Sequence, residues 1–295
     1  MQIDVLGILD VRETGVSIAP TAPKPRQVLA LLALHADQVV PVSALIDELW
    51  AGRPPRSART TLQTYVLQLR DLITLALDKQ ASAAEGPRRS AKDVLVTAPG
   101  GYMLISGEDG VSDVREFERL AGQGYRAIDA GDFPGASRLL REALALWSGP
   151  AFADVQTGAR LEMEAKRLEE SRLCALDQRI EADLRLGRHR ELLAELTVLT
   201  SRYRAHENLH AQFMLALHRS GRRGEALDVY HRLRSTLVRD LGLEPSARLR
   251  RLQQSILVAA PETPLAAEAG QPAALPLSSA SSGRTTRTAS DARCP

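Results

Sequence analysis

The chain has 295 residues, of which 44% are hydrophobic and 4% aromatic, and its formal net charge at neutral pH is +2. This length is too great for one typical domain and suits two, with cores built mainly from Leu, Ala and Val. Two cysteines exclude a disulfide framework and a cysteine-based zinc site, and neither a signal peptide nor a membrane-spanning apolar run is present. We therefore expect a soluble, cytoplasmic protein.

The first residues of the chain predict short β-strands. Apolar residues and β-branched residues favour strands at 3–9, 11–12 and 16–18. Glu13, Thr14 and Gly15 form a turn signal between the last two. This arrangement indicates a small sheet at the N-terminus.

Two helices are expected next. Pro25 begins a helix that continues to Leu34, because proline fits the first turn and the following apolar residues recur at helical spacing. Val39-Val40 is a brief extended segment that ends at Pro41. A second helix follows at about 42–50 and turns its leucines inward.

A third predicted helix, from Ser57 to Ile73, differs from an ordinary surface helix. Its apolar residues lie on one arc, and the opposite arc carries hydroxyls, amides and arginines instead of the usual Glu and Lys. Such groups hydrogen-bond to phosphates and base edges in a major groove. Basic residues outnumber acidic ones in 50–92, whereas 1–49 is acidic. The pattern favours a DNA-binding helix, and the alternative is a solvated helix face.

A β-hairpin is expected after the polar stretch 79–93. Residues 94–97 and 102–105 form its strands, and Gly100 and Gly101 provide the positive φ of a tight turn. Strands, three helices and a hairpin in this order predict a winged helix-turn-helix. In that fold the third helix enters the major groove and the hairpin contacts the adjacent backbone or minor groove.

The second half of the chain, from Asp113 to about Leu257, is predicted to be helical throughout. The segment that begins at Gly187 aligns with the segment that begins at Gly221, at an offset of 34 residues. This is the period of tetratricopeptide repeats, in which a small residue lies at each turn between antiparallel helices. Gly131 marks a more divergent earlier unit, and the alternative is a helical bundle with chance periodicity.

From Ala259 to Pro295 the chain is rich in Ala, Pro, Ser and Thr without apolar periodicity, so we expect this tail to be disordered. The predicted organisation is a winged-helix DNA-binding domain (1–106), a linker (107–112), a helical domain (113–258) and the tail (259–295).

Several motifs identify the family that the chain resembles. Residues 1–106 resemble the OmpR-type DNA-binding domain in L-I-D-E-L-W (45–50), T-T-L-Q-T-Y-V-L-Q-L-R (60–70) and V-T-A-P-G-G-Y (96–102). The second half carries L-W-S-G-P-A-F-A-D-V (146–155), A-L-H-R-S-G-R-R-G-E-A-L (216–227) and Y-H-R-L-R-S-T-L-V-R-D-L-G-L-E-P-S (230–246). Together they resemble the SARP family (Streptomyces antibiotic regulatory proteins), whose second half is the bacterial transcriptional activator domain.

The resemblance, which covers about 1–258, implies a fold and a function. The fold is mainly α with small β: an OmpR-type winged helix-turn-helix followed by an all-α, tetratricopeptide-like repeat domain. The function is that of a pathway-specific activator of an antibiotic gene cluster. Its partners are promoter DNA with direct repeats, RNA polymerase holoenzyme, and further copies of itself arranged head-to-tail on DNA. Such a protein is expected in the cytoplasm, at the nucleoid.

The candidate DNA contacts follow from residue chemistry. Glutamine pairs with adenine and a threonine methyl meets the thymine methyl, so base contacts are predicted for Thr60, Gln63, Thr64 and Gln68. Phosphate contacts are predicted for Arg56, Arg59, Arg70, Arg88, Arg89 and Lys92. Leu67 and Gln68 stand where the broader OmpR-type family is often basic, and Ala98 stands where a wing arginine is common. Fewer charges predict weaker single-site binding and more dependence on a neighbouring protomer or on RNA polymerase.

Two other functional classes have some support in the sequence. His206 to His210 matches H-E-x-x-H, which on a helix can bind zinc, but the extension that supplies a third ligand is missing, with Phe213 and Ala216 at those positions. No phosphate-binding loop or dinucleotide fingerprint is recognised, so we expect no enzyme activity, cofactor or metal. A protein-interaction scaffold, in which the winged helix serves as a docking module, is the remaining alternative.

Overall fold

The computed structural model describes residues 1–80, 89–107 and 110–258. A small sheet lies at the N-terminus, formed by β1 (Gln2–Asp4), β2 (Asp10–Glu13), β3 (Val16–Ser17) and β7 (Val111–Ser112) in the order β3-β2-β1-β7. Thr14 and Gly15, with φ of 54° and 80°, make the tight β2–β3 turn. β7 pairs in parallel with β1, so the end of the predicted linker 107–112 is part of this sheet.

The strand predicted over 3–9 is wrong beyond Asp4. Residues 5–9 are irregular because their backbone groups bind a loop instead of a strand. The carbonyls of Val5, Leu6 and Gly7 accept hydrogen bonds from the backbone of Phe152, Ser148 and Ala153. A loop between two helices of the second half, at residues 146–158, therefore occupies the position of a sheet partner.

Three helices form the centre of the N-terminal half: α1 (Pro23–Leu34), α2 (Val42–Trp50) and α3 (Ala58–Gln80). Helix α1 begins two residues before the predicted Pro25, with Pro23 in its first turn. Helix α3 continues past the predicted end at Ile73, because Ala76 extends its buried stripe by one more turn.

The predicted hairpin is present and packs beside α3. After the short helix α4 (Ala91–Val94), β5 (Leu95–Ala98) and β6 (Gly101–Leu104) pair antiparallel, and β4 (Val40–Pro41) pairs with the outer edge of β6. Gly100 turns the chain at a φ of 82°. A side chain at Gly101 would come within 2.2 Å of the carbonyl oxygen of Val40, so this close pairing requires glycine.

The second half is helical, as predicted. Its helices are α5 (Asp113–Asp129), α6 (Phe133–Ala145), α7 (Ala159–Arg185), α8 (Leu193–Arg202), α9 (Glu207–Arg219), α10 (Arg223–Leu241) and α11 (Ala247–Val258). Gly131, Gly187 and Gly221 end α5, α7 and α9 with nearly equal φ of 76°, 77° and 78°. In each turn the next residue donates its N–H to the carbonyl five positions earlier. These equivalent turns indicate three helix pairs, each joined at one of the glycines. The predicted fold class, a winged helix followed by an all-α repeat domain, is confirmed.

The hydrophobic cores do not divide at the predicted linker. One core extends from Ile3 through the three N-terminal helices to Phe117, Trp147 and Ala175. A second core begins at Ile180 and ends at Ile256. The first helix pair therefore packs with the winged helix, and α7 passes from one core into the other. No helix in the described ranges is long and apolar enough to span a membrane. The predicted tail, 259–295, lies outside the described residues.

Candidate nucleic-acid interface

Helix α3 presents the predicted base-contacting residues on one exposed face. Its inner face is fixed by Leu62, Val66 and Leu69, each 2% exposed or less. The side chains on the outer face are in solvent: Thr60, Gln63, Thr64 and Gln68. The Thr64 hydroxyl donates to the carbonyl oxygen of Thr60 at 3.1 Å, which leaves its methyl group directed away from that bond. The structure thus brings all four residues to one surface.

Two of the predicted phosphate contacts lie at the beginning of this face. Arg56 and Arg59 are exposed, and neither forms an ion pair within the described ranges. The chain enters α3 through Pro54 and Pro55, which favour an extended conformation before the helix. Unpaired guanidinium groups beside the outer face are available for a polyanion. Lys92 is also exposed, on the short helix α4.

Arg70, in contrast, is held by the hairpin. Its Nη2 donates to the carbonyl oxygen of Leu95 at 2.7 Å and to the hydroxyl of Thr97 at 2.8 Å, and its Nε donates to the same carbonyl at 3.1 Å. These bonds join α3 to β5. The guanidinium group therefore fixes the position of the hairpin relative to the exposed helix face.

Arg89 lies near the other end of α3. It pairs with the buried Glu13 at 3.4 Å, and the adjacent Thr14 donates its hydroxyl to the carbonyl oxygen of Ala76 at 3.1 Å. Ala76 is about 24 Å along the helix axis from Thr60, at 1.5 Å per residue. The structure consequently separates Arg89 from the outer face of α3 that is predicted to contact bases. Arg88 lies outside the described residues.

Leu67 is an exposed apolar residue in the middle of the polar face. It is 57% exposed and lies one helical turn from Gln63 and Thr64. The helical spacing places Leu67 on the outward arc of this helix, as the structure shows, but no DNA contact was predicted for it.

Glu48, on α2, connects the winged helix to the helical half. Only 3% exposed, it accepts hydrogen bonds from the backbone N–H groups of Gly158 at 2.6 Å and Arg160 at 2.9 Å. These groups begin α7, where unpaired N–H groups and the helix dipole favour a carboxylate. Gln27 donates its Nε2 to the Glu48 carbonyl oxygen at 2.9 Å. A residue of α2 therefore caps a helix of the helical half.

Asp113 makes a second connection, from the beginning of α5 to the irregular segment that follows the first strand. Its Oδ2 accepts hydrogen bonds from the N–H groups of Val5 at 2.6 Å and Leu6 at 2.7 Å. Burial raises the pKa of this carboxyl to about 6, even though both hydrogen bonds oppose the rise. The two halves of the protein are thus joined by buried carboxylates on both sides of the shared core.

The H-E-x-x-H residues are engaged at the beginning of α9. The His206 Nδ1 accepts from the N–H of Leu209 at 3.3 Å, and Glu207 accepts from the N–H of Ser246 at 2.8 Å. The ring of His210 bonds to the carbonyl oxygen of His206, and burial lowers its pKa. Among the residues that the structure describes, no group of three or more His, Cys, Asp or Glu could hold a metal ion.

Two family models match the chain. The model described as "Transcriptional regulatory protein, C terminal" matches residues 19–82. The model described as "Bacterial transcriptional activator domain" matches residues 112–257. The first match includes α1, α2 and α3, of which α3 carries the exposed face, and the second includes α5 to α11.

The chain is similar in sequence to proteins that are named as regulatory proteins or transcriptional regulatory proteins. Regulatory protein DnrI of Streptomyces peucetius is 56% identical over 88% of this chain and 93% of that protein. Regulatory protein AfsR of Streptomyces coelicolor is 36% identical, and the chain spans only 24% of its length. The structure of Mycobacterium tuberculosis EmbR in complex with a low affinity phosphopeptide matches with a TM-score of 0.77 and 34% identity, over 87% of this chain and 64% of that chain.

Proposed function

Because the chain belongs to the SARP family of transcriptional regulators, with an OmpR-type domain and a bacterial transcriptional activator domain, we propose that it activates the genes of one secondary-metabolite cluster. It binds a specific promoter sequence and recruits RNA polymerase holoenzyme. The observation that carries this proposal is the exposed Thr and Gln face of α3, with Arg56 and Arg59 unpaired at its beginning.

Helix α3 contacts bases in the major groove. Gln63 and Gln68 have both a donor and an acceptor at the end of the side chain, which suits the N6 and N7 edge of adenine. Thr60 and Thr64 offer methyl groups to thymine. The inner face of the helix is held by the core, so these side chains approach DNA as a rigid set.

The arginines divide into two roles. Arg56, Arg59 and Lys92 bind phosphates, since their charged groups are exposed. Arg70 is a positioning residue, because its three hydrogen bonds to β5 set the distance between the hairpin and the helix. Arg89 is paired with Glu13 at the other end of α3 and is not assigned to the same stretch of DNA.

The operator consists of direct repeats, on which protomers align head-to-tail. A winged helix that holds its helical half in one fixed orientation favours such an arrangement. The Glu48 cap on α7 and the Asp113 bonds to Val5 and Leu6 support it, since both carboxylates are buried and both connect the two halves. The small number of basic residues on α3 supports cooperative binding.

Binding-site selection with the full chain tests the proposal. A pool of random DNA duplexes is expected to yield a repeated element at one spacing, and Gln63→Ala should then lose about 1–3 kcal/mol of preference for one base pair. Gln254→Ala, an exposed amide on α11, is the matched control. Selection of no element, with equal affinity for all duplexes at every salt concentration, would show that the protein is not a sequence-specific activator.

A further inference from the structure

A basic groove lies between α8, α9 and α10, in the second hydrophobic core. Its volume is about 680 Å³, and its floor is apolar, formed by Phe213, Val229 and Leu233. Arg204, at the end of α8, and Arg232, on α10, lie at its rim with Arg239. No lining residue among those that the structure describes is acidic.

Two of the three arginines at the rim have no direct ion-pair partner among the described residues, although Asp240 and Glu225 act on Arg204 and Arg232 from a greater distance. Arg239 pairs with Asp240 at 2.7 Å, but Arg204 and Arg232 form no ion pair within the described ranges. The hydroxyls of Thr197 and Thr200 donate to carbonyls of their own helix, at 2.8 Å and 2.7 Å. The two free guanidinium groups are therefore the strongest donors in the groove, and they suit carboxylates.

The shape of the groove favours a peptide segment over a compact ligand. Along α10 the lining extends from Val229 to Arg239, which is about 15 Å at 1.5 Å per residue. A compact molecule would cover only part of a lining of this length and would leave the rest in water. A helical segment of about 12 residues, about 18 Å long, covers it fully.

We propose that this groove binds an acidic, amphipathic segment of a partner protein. The segment places its apolar side chains on Phe213 and Leu233 and its carboxylates on Arg204 and Arg232. This is the helix-in-groove mode of recognition, with specificity supplied by charge. The activator half thus holds a protein partner on a surface distinct from the exposed face of α3.

The test uses the full chain and a defined probe. A fluorescein-labelled peptide of about 12 residues, with Glu and Leu at helical spacing, is titrated and followed by fluorescence anisotropy, beside a twin with Gln in place of Glu. We expect the Glu peptide to bind about tenfold more tightly than its twin. The double variant Arg204→Gln, Arg232→Gln should reduce this binding about tenfold.

A matched double variant separates this site from the general charge of the protein. Arg126→Gln, Arg190→Gln removes the same charge from exposed positions on α5 and before α8 and should leave binding unchanged. An equal loss in this control, equal binding of the two peptides, or no binding of the Glu peptide would overturn the proposal. A tenfold loss of affinity for random-sequence DNA in the groove variant would assign the groove to nucleic acid instead.

Discussion

The carboxylate of Glu48 on α2 accepts a hydrogen bond of 2.6 Å from the N–H of Gly158, at the beginning of α7. The two residues are far apart in sequence and belong to different halves of the protein. Since the carboxylate is buried and also accepts from Arg160, the orientation of α2 is tied to that of α7. The three N-terminal helices, α5, α6 and the first part of α7 consequently pack as one rigid unit.

Glu48→Gln is therefore expected to destabilise the protein. The amide keeps one acceptor oxygen but loses the charge that complements the beginning of α7, at a cost of about 1–3 kcal/mol in the free energy of unfolding. Urea unfolding followed by circular dichroism measures the change. Asp47→Asn removes an exposed carboxylate from the same helix and should change stability by less than about 0.5 kcal/mol. Equal effects of the two substitutions would mean that the cap contributes no stability.

Asp113 predicts a pH dependence of stability. Its pKa is raised from 3.8 to about 6 by burial, so between these values the folded state holds a proton that the unfolded state has released. The contribution of this group is fully present below pH 4 and is lost as the pH rises towards 6. The loss is at most about 3 kcal/mol, at 1.36 kcal/mol per pKa unit.

Asp113→Asn should remove this contribution while keeping an acceptor oxygen for Val5 and Leu6. Urea unfolding of both proteins at pH 4.5 and pH 7 gives the comparison, in which the wild type loses more stability than the variant as the pH rises. Parallel pH profiles of the two proteins would show that Asp113 does not titrate in this range.

Arg70→Ala and Arg59→Ala should weaken DNA binding in different ways. Arg59 meets a phosphate, so its loss lowers affinity for all sequences and reduces the slope of log affinity against log salt by about 1. Arg70 holds the hairpin through Leu95 and Thr97, so its loss lowers affinity with an unchanged slope. Affinities at four salt concentrations measure both. If Arg70→Ala also reduced the slope of log affinity against log salt, Arg70 would be a phosphate contact and not a positioning residue.

Leu67 is expected to contact a thymine methyl group, since it is exposed between the polar side chains of the recognition face. In the selected operator, replacing each thymine in turn with uracil removes that methyl group alone. At one position wild-type affinity should fall about fourfold, which corresponds to about 0.8 kcal/mol for one buried methyl group. Leu67→Ala should show little loss at that position. If the uracil substitution lowered the affinity of the wild type and of Leu67→Ala equally, Leu67 would not be the residue that contacts this methyl group.

Helix α3 and the glycine turns could be predicted because both are local properties of the chain. The apolar arc of α3 follows from a spacing of three and four residues, and the turns at Gly187 and Gly221 follow from a residue that tolerates positive φ. The exposed positions Thr60, Gln63 and Gln68 needed nothing more than this periodicity. The end of α3 was predicted too early, at Ile73. Ala76 continues the buried stripe, but alanine also occurs on exposed helix faces, so its position in the sequence does not indicate burial.

The sequence by itself thus determined the order of elements, the exposed face of α3 and the repeated turns of the helical half. Only the tertiary structure decided which charged groups are free to meet DNA: Arg70 is bound to β5, Arg89 is paired with Glu13, and Glu48 caps α7. Each of these partners lies between 25 and 110 residues away in the chain. No local spacing specifies such a pair, because it forms only when the shared core brings distant elements together.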